Sequence, residues 1–264
     1  MAEKAKCNTP PIVERIIGVY HKIPQEEFEK RLPSWVEKIS RAYPVPDHIA
    51  EWLIDIEERN GVPLIKSLAP KARIIHVFWQ KHPEHKYVHG MRVRPDRLVF
   101  HLEREKDNPH RFEELMPEMK KWLPLWMEHF AVHEIDGITV EYYNILDGNI
   151  TPQFVSSNGA LKISDALTIF ANIPGQHKGL TNPYDCKVRL VIDDQAPTFL
   201  DVRVRGDDRS ANAVKVELKL TTFPKERKFN QSEALVALRQ AHEVMLKQFA
   251  CFFTETARKS FGLL

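Results

Sequence analysis

Three histidines, His82, His85 and His89, fall within eight residues of the segment KHPEHKYVHG. Neutral imidazole is a ready ligand for zinc and similar ions, so this density could hold a metal. Helical spacing would set all three on one side. Pro83, Gly90 and the β-type flanks favour a hairpin instead, in which His85 and His89 share a face and His82 lies beyond the bend. Glu84 is the one acid among them, no cysteine accompanies them, and a solvated hairpin tip is the competing reading. His76 and His101 stand on neighbouring predicted strands.

A second candidate is His242-Glu243 near the C-terminus. A histidine beside an acid suggests acid–base chemistry, yet neighbours on a helix point about 100° apart and cannot bond each other directly. A core histidine satisfied by a carbonyl or carboxylate is the alternative. The third candidate is a basic set, Lys187, Arg189, Arg203, Arg205, Lys215 and Lys219, with Asp201 and Glu217 among them. These residues alternate with apolar ones along three strand-like runs, so they share one sheet face. Clustered Lys and Arg could contact the phosphates of a polyanion. Against that, the face lacks interleaved aromatics for base stacking, and opposite-charge cross-strand pairs are what a solvated sheet shows.

Nucleophile and nucleotide motifs are missing: the sequence has no G-x-S-x-G, P-loop, G-x-G-x-x-G, H-E-x-x-H or EF-hand. No cofactor is expected. The three cysteines, Cys7, Cys186 and Cys251, are odd in number and far apart, which argues against a disulfide framework or a CxxC metal clip. Cys186 and Cys251 fall on predicted buried faces.

The elements that must position these residues follow from periodicity. The segment from Pro10 to Ile23 is rich in β-branched residues and reads as a strand. Phe28, Leu32, Trp35, Val36 and Ile39 mark a helix that Pro33 should kink or split. DHIAEWLIDIEERNG reads as a second helical piece, with Asp47 as N-cap and Gly61 as C-cap. Strands follow over Ala72–Gln80, Tyr87–Arg94 and Arg97–Glu103. A bent helix runs from Phe112 to Phe130, with Pro117 and Pro124 inside it.

From His133 the order restarts. Gly137–Leu146 is a strand and Ile163–Gly175 a short helix; Cys186–Ile192, Thr198–Gly206 and Ala213–Phe223 alternate as strands. A long helix closes the chain from Asn230 to about Phe261, with Asn230 and Glu233 as a capping box and Gly262 as C-terminal cap. The expected fold is therefore α+β: two pseudo-repeats, 1–132 and 133–264, each a strand, a helix, three antiparallel strands and a long helix. Helices would cover one face of each sheet, and the two sheets could join as one continuous saddle.

With 43% apolar and 28% charged residues, the chain has the composition of a globular protein, and its net charge of +2 gives no whole-molecule field selecting nucleic acid or anionic membrane. No run approaches the roughly 20 apolar residues needed to span a bilayer. The polar N-terminus is not a secretory signal, so a cytoplasmic protein without membrane association is expected.

PPIVE before the first strand, Tyr142-Tyr143-Asn144 on the central strand, and His242, Glu243, Phe249 and Thr254 in the closing helix form a set. With it the chain resembles a sporadically distributed bacterial family of uncharacterised proteins of about this length. The resemblance implies a bacterial, cytoplasmic protein and carries over no activity and no catalytic residue. The functional expectation is a non-enzymatic binding or adaptor protein that presents a sheet face or inter-repeat groove to a protein or peptide. Nucleic-acid binding through the basic face is the first alternative, and a metal-dependent enzyme using His82, His85 and His89 the second.

Overall fold

In the computed structural model, strand β1 (Ile12–Tyr20) is buried along most of its length, which is why its sequence reads as a run of β-branched residues without strict alternation. The structure describes residues 11–59, 62–80, 89–103, 112–146, 154, 163–168, 185–193, 197–207 and 210–261. Cys7, His82 and His85 lie outside them.

After β1 come α1 (Gln25–Ile39), β2 (Val45–Arg59), β3 (Val62–Trp79), β4 (His89–Arg94), β5 (Arg97–Glu103) and α2 (Phe112–Phe130). Then follow β6 (Gly137–Leu146), α3 (Ile163–Ala166), β7 (Asp185–Asp193), β8 (Thr198–Asp207), β9 (Ser210–Thr222), α4 (Gln231–Phe252) and α5 (Glu255–Ser260). All the strands join one nine-stranded sheet in the order β2-β3-β4-β5-β1-β6-β9-β8-β7. Every neighbouring pair is antiparallel.

Register assigns the faces. Ile17 pairs with Phe100 on one side and Val140 on the other; Val140 in turn pairs with Leu220, and Leu220 with Leu200. This face is apolar and carries the helices. Tyr142 packs edge-on against Phe249 of α4, and Phe28 of α1 contacts His76 of β3. Between α1 and α2, Trp35 is fully buried, with its ring edge-on to Trp126 at 5.1 Å and to Trp122 at 6.1 Å.

Three expectations need correction. The predicted second helical piece is strand β2, and β3 begins ten residues earlier than Ala72, so four strands rather than three follow α1. Between Arg59 and Val62 the sequence is Asn-Gly, a pair whose type favours hairpin turns, and the helical reading takes its glycine for a helix stop. The C-terminal helix is not continuous to Phe261. It stops at Phe252, Phe253 bridges to Leu167, and Thr254 caps α5 by accepting from Ala257 N–H at 3.2 Å. Finally, Cys186 and Cys251 are exposed, not buried. The prolines inside α1 and α2 leave each a single helix. The capping box forms as expected, with Asn230 Oδ1 accepting from Glu233 N–H at 3.0 Å and Glu233 Oε2 from Asn230 N–H at 2.9 Å. Among the described residues, no helix is long and apolar enough to cross a membrane.

Trp35→Ala should cost about 3–5 kcal/mol, since it removes a fully enclosed aromatic from between two helices. Denaturant unfolding measures it, and a loss under about 1 kcal/mol would show that α1 is not anchored through this ring.

Candidate functional site

Two surfaces combine the residue types that chemistry or recognition needs: the polar face of the sheet, opposite the helices, and a groove between α2 and α4.

On the polar face, β1 supplies Glu14 and β5 supplies His101 and Glu103, with Glu14 directly opposite Glu103. Arg92 arrives from β4. Its Nη2 donates to Glu14 Oε1 at 2.6 Å, and His101 Nδ1 lies 2.9 Å from the same oxygen. A proton on Nδ1 satisfies that contact and leaves Nε2 a lone pair, buried and without a hydrogen-bond partner. His101 is fully buried, and that burial, reinforced by the Arg92 charge, lowers its pKa to about 4. Burial pushes the Glu14 carboxyl up, but the His101 hydrogen bond and the Arg92 charge together outweigh it and hold it below the usual carboxylate range. Burial, with Glu14 opposite, raises Glu103.

Donor atoms of Glu14, His101 and Glu103 all lie within 4.8 Å of one another, a spacing a cation could bridge. Arg92 already sits on Glu14 as the neutralising cation, so a metal there would meet a positive charge at contact distance. Glu14, Arg92 and His101 thus form an ion-paired cluster in which His101 Nε2 and Arg92 Nε are buried without a hydrogen-bond partner. Gly90 makes room for it, because a Cβ at that position would lie 1.8 Å from His101 Nε2. Trp79 closes the far side, its ring 4.6 Å from the imidazole.

A second cluster sits one strand over. Glu141 of β6 is buried and accepts from Thr139 Oγ1 and the Tyr143 hydroxyl, each at 3.2 Å. Lys219 Nζ approaches it to 3.3 Å and Arg97 to 3.7 Å. The same two cations stand over the Tyr20 ring.

All six predicted basic residues lie on this face, since Lys187 pairs with Arg203, Arg189 with Asp201, Arg205 with Lys215, and Lys219 with Asp201 across β7, β8 and β9. Their charges are largely engaged. Arg189 forms a two-pronged pair with Asp201 at 2.7 and 2.9 Å, Arg205 one with Glu217 at 2.9 and 2.8 Å, and Lys219 meets Glu141. Arg203 and Lys215 have partners as well. The face also contains the aromatics that sequence reasoning missed: Tyr20 and Tyr143 come from the central strands, and Phe199 lies under the Arg189 guanidinium at 5.7 Å. Period-two reading of β8 could have found Phe199, two residues before Asp201; Tyr20 and Tyr143 join the face only through pairing.

Of the histidine cluster, His89 is described. It opens β4, and its carbonyl accepts from Gln80 N–H at 2.9 Å.

The groove has a volume of about 910 Å³. Its α2 wall carries Phe112, Glu113, Met116, Pro117 and Lys120; its α4 wall carries Arg239, His242, Glu243, Leu246 and Lys247. His242 stacks on Phe112 with ring centroids 3.6 Å apart and planes 2° from parallel, and its Nδ1 is hydrogen-bonded to the Tyr142 hydroxyl at 2.7 Å. Burial raises the Tyr142 pKa, so the phenol stays neutral in that bond. The predicted His242-Glu243 pair thus lines a groove built from a second helix, which helical periodicity within α4 could not show. No protein-family model matches the chain, and neither a curated protein nor a solved structure matches it.

His21, buried beneath α2 and accepting from Trp126 Nε1–H at 3.0 Å, is like His101 lowered to about 4 by burial. Both pKa values lie below the unfolded value, so the unfolded chain takes up protons first. Stability is full above pH 6.5 and falls as pH drops from there towards 4, on the order of 3 kcal/mol for one such histidine. Denaturation midpoints across this range test it, and a flat profile would contradict the buried neutral state. Gly90→Ala should displace His101 and destabilise the fold by about 1–3 kcal/mol, because Glu14 and Arg92 lose a buried partner. Calorimetry measures that loss, and an unchanged melting temperature would rule out the close approach.

Proposed function

We propose that this protein is a non-enzymatic binding protein, and that the groove between α2 and α4 receives an amphipathic helical segment of a partner protein. The observation that carries this reading is the combination of an apolar floor with charges that the fold does not use. Phe112 and Met116 are buried, whereas Leu246 is 45% exposed on a helix whose other apolar residues are mostly covered. On the rim, Glu113, Lys120, Arg239, Glu243 and Lys247 have no ion-pair partner among the described residues, in contrast to the paired charges of the sheet face. Arg239, Glu243 and Lys247 follow one another at four-residue steps, forming a ridge beside the floor. Helix-in-groove recognition needs such an apolar trough flanked by polar ridges. A partner with apolar residues at three- and four-residue steps, flanked by residues of both charges, complements it.

The groove's position supports a further reading of the fold as two pseudo-repeats with a shared sheet. β1 and β6 open the two halves and lie side by side; β5 and β9, the last strand of each half, flank them on the outside. α2 and α4 close the two halves, so the groove between them is an inter-repeat groove on the helix side of a saddle. The sheet's opposite face supports nucleic-acid binding less well, because its cations already neutralise Asp201, Glu217 and Glu141.

Leu246→Glu changes an exposed side chain and should leave stability within about 0.5 kcal/mol of the parent. Combined with Arg239→Glu, it should abolish capture of a host protein that the parent chain retains. The captured protein should contain an amphipathic segment whose synthetic peptide binds the parent and not the variant. Capture that is indifferent to both substitutions would exclude the groove, and turnover of a small molecule by the purified protein would exclude the non-enzymatic reading.

A further inference from the structure

Among the described residues β7 is an edge strand: it stands last in the sheet order, with a paired neighbour on one side only. It is nine residues long, bordered on the inner side by β8 and exposed from Cys186 to Val191. Cys186, Val188 and Leu190 pair with Val204, Val202 and Leu200, which places them on the helix-bearing face. Their partners are buried, whereas Val188 is 43% and Leu190 37% exposed, so among the described residues the helical cover ends one strand short. On the other face β7 carries Lys187, Arg189 and Val191; Arg189 is paired with Asp201, which leaves Lys187 as the cation of this strand without an ion pair among the described residues.

Proteins ordinarily blunt a long edge with a bulge, a proline, charged side chains or a covering element, because unpaired N–H and C=O groups recruit strands; Lys187 and Arg189 are such charges on β7 and oppose pairing with a like-charged strand. Here a bulge stands only at the Val191/Asp193 end, and the stretch before it pairs with β8 in regular register.

We propose that β7 is a docking edge for an extended segment of a partner protein in which apolar and acidic side chains alternate. Added to the edge, such a segment continues the sheet through backbone hydrogen bonds. Its apolar residues lie beside Val188 and Leu190, and its acidic residues lie on the face that carries Lys187. A second copy of this chain fits less well. Antiparallel registers centred on Lys187, Val188 or Arg189 set basic residues opposite basic ones, which is destabilising. A register centred on Leu190 avoids this and would have to pair across the bulge between Val191 and Asp193.

The test uses fluorescein-labelled nonapeptides and the intact protein, read by anisotropy. A peptide alternating Val and Glu should bind, and one alternating Val and Lys should bind at least about tenfold more weakly. Lys187→Glu, at an exposed position, should weaken the acidic peptide about fivefold. Two further acidic peptides, N-methylated at odd or at even residues, separate edge pairing from charge attraction, because only one of the two alternating sets of N–H groups faces the edge. One should bind like the parent peptide and the other should not. Absence of binding at millimolar peptide, equal affinity for the acidic and basic peptides, or equal behaviour of the two N-methylated peptides overturns the proposal. So does a concentration-dependent dimer of the protein alone in sedimentation, which would assign the edge to a second copy.

Discussion

The pairing of β1 with β6 is the constraint on which the rest of the structure depends. These two strands are separated by more than a hundred residues of chain, yet Ile17 against Val140 and Val19 against Ile138 form the middle of the sheet. Once they are joined, every other strand is placed by adding antiparallel neighbours outward, through β5, β4, β3 and β2 on one side and β9, β8 and β7 on the other. The long helices gain their partners from the same event, because α2 contacts β1 and β5 while α4 contacts β6 and β9. A strand pair of this sequence separation is slow to form and costly in loop entropy, so it is held by apolar burial on the helix-bearing face.

The opposite face holds buried charge beside that seam, and burying charge is costly unless each group is paired. Glu14 and Glu141 meet the requirement differently. Glu14 is held by Arg92 and His101, while Glu141 collects two hydroxyls and two cations. These contacts are specific in direction and distance, so a slip of one residue in any central strand would strand a carboxylate among apolar neighbours. The clusters therefore act on register as much as on stability. The Arg92 charge on Glu14 disfavours a metal there, and the pairing of Arg189, Arg205 and Lys219 leaves the basic residues farther along the face with little unspent charge.

Where the structure is incomplete in itself, the lack lies at its margins. Among the described residues, the trough between α2 and α4 is floored by apolar side chains and rimmed by charges without ion pairs, and the outer edge of β7 extends beyond the helix layer. Both arise from the same geometry: two helices spaced across a wide sheet leave a gap between them and an overhang beyond. Elsewhere the core is continuous, from Trp35 and Trp126 at one end to Phe253 and Phe261 at the other.

Much of the local chemistry was legible in the sequence. The capping box at Asn230, the amphipathic helices around Trp35 and Trp126, and the alternation that sets Lys187, Arg189, Arg203, Arg205, Lys215 and Lys219 on one face depend on residues close together in the chain. So does the α+β class. Tertiary structure alone decided which of these residues meet. β2 has helix-like spacing of apolar residues, and pairing with β3 overrode it; Cys186 has the parity of a core residue, yet among the described residues no helix covers it and it is exposed. His242 met Phe112, and Glu14 met Arg92 and His101, through contacts spanning 78 residues or more in the polar cluster. Periodicity fixes the side of an element on which a residue lies, whereas its partner is fixed by strand order and register, which depend on the packing of the whole chain.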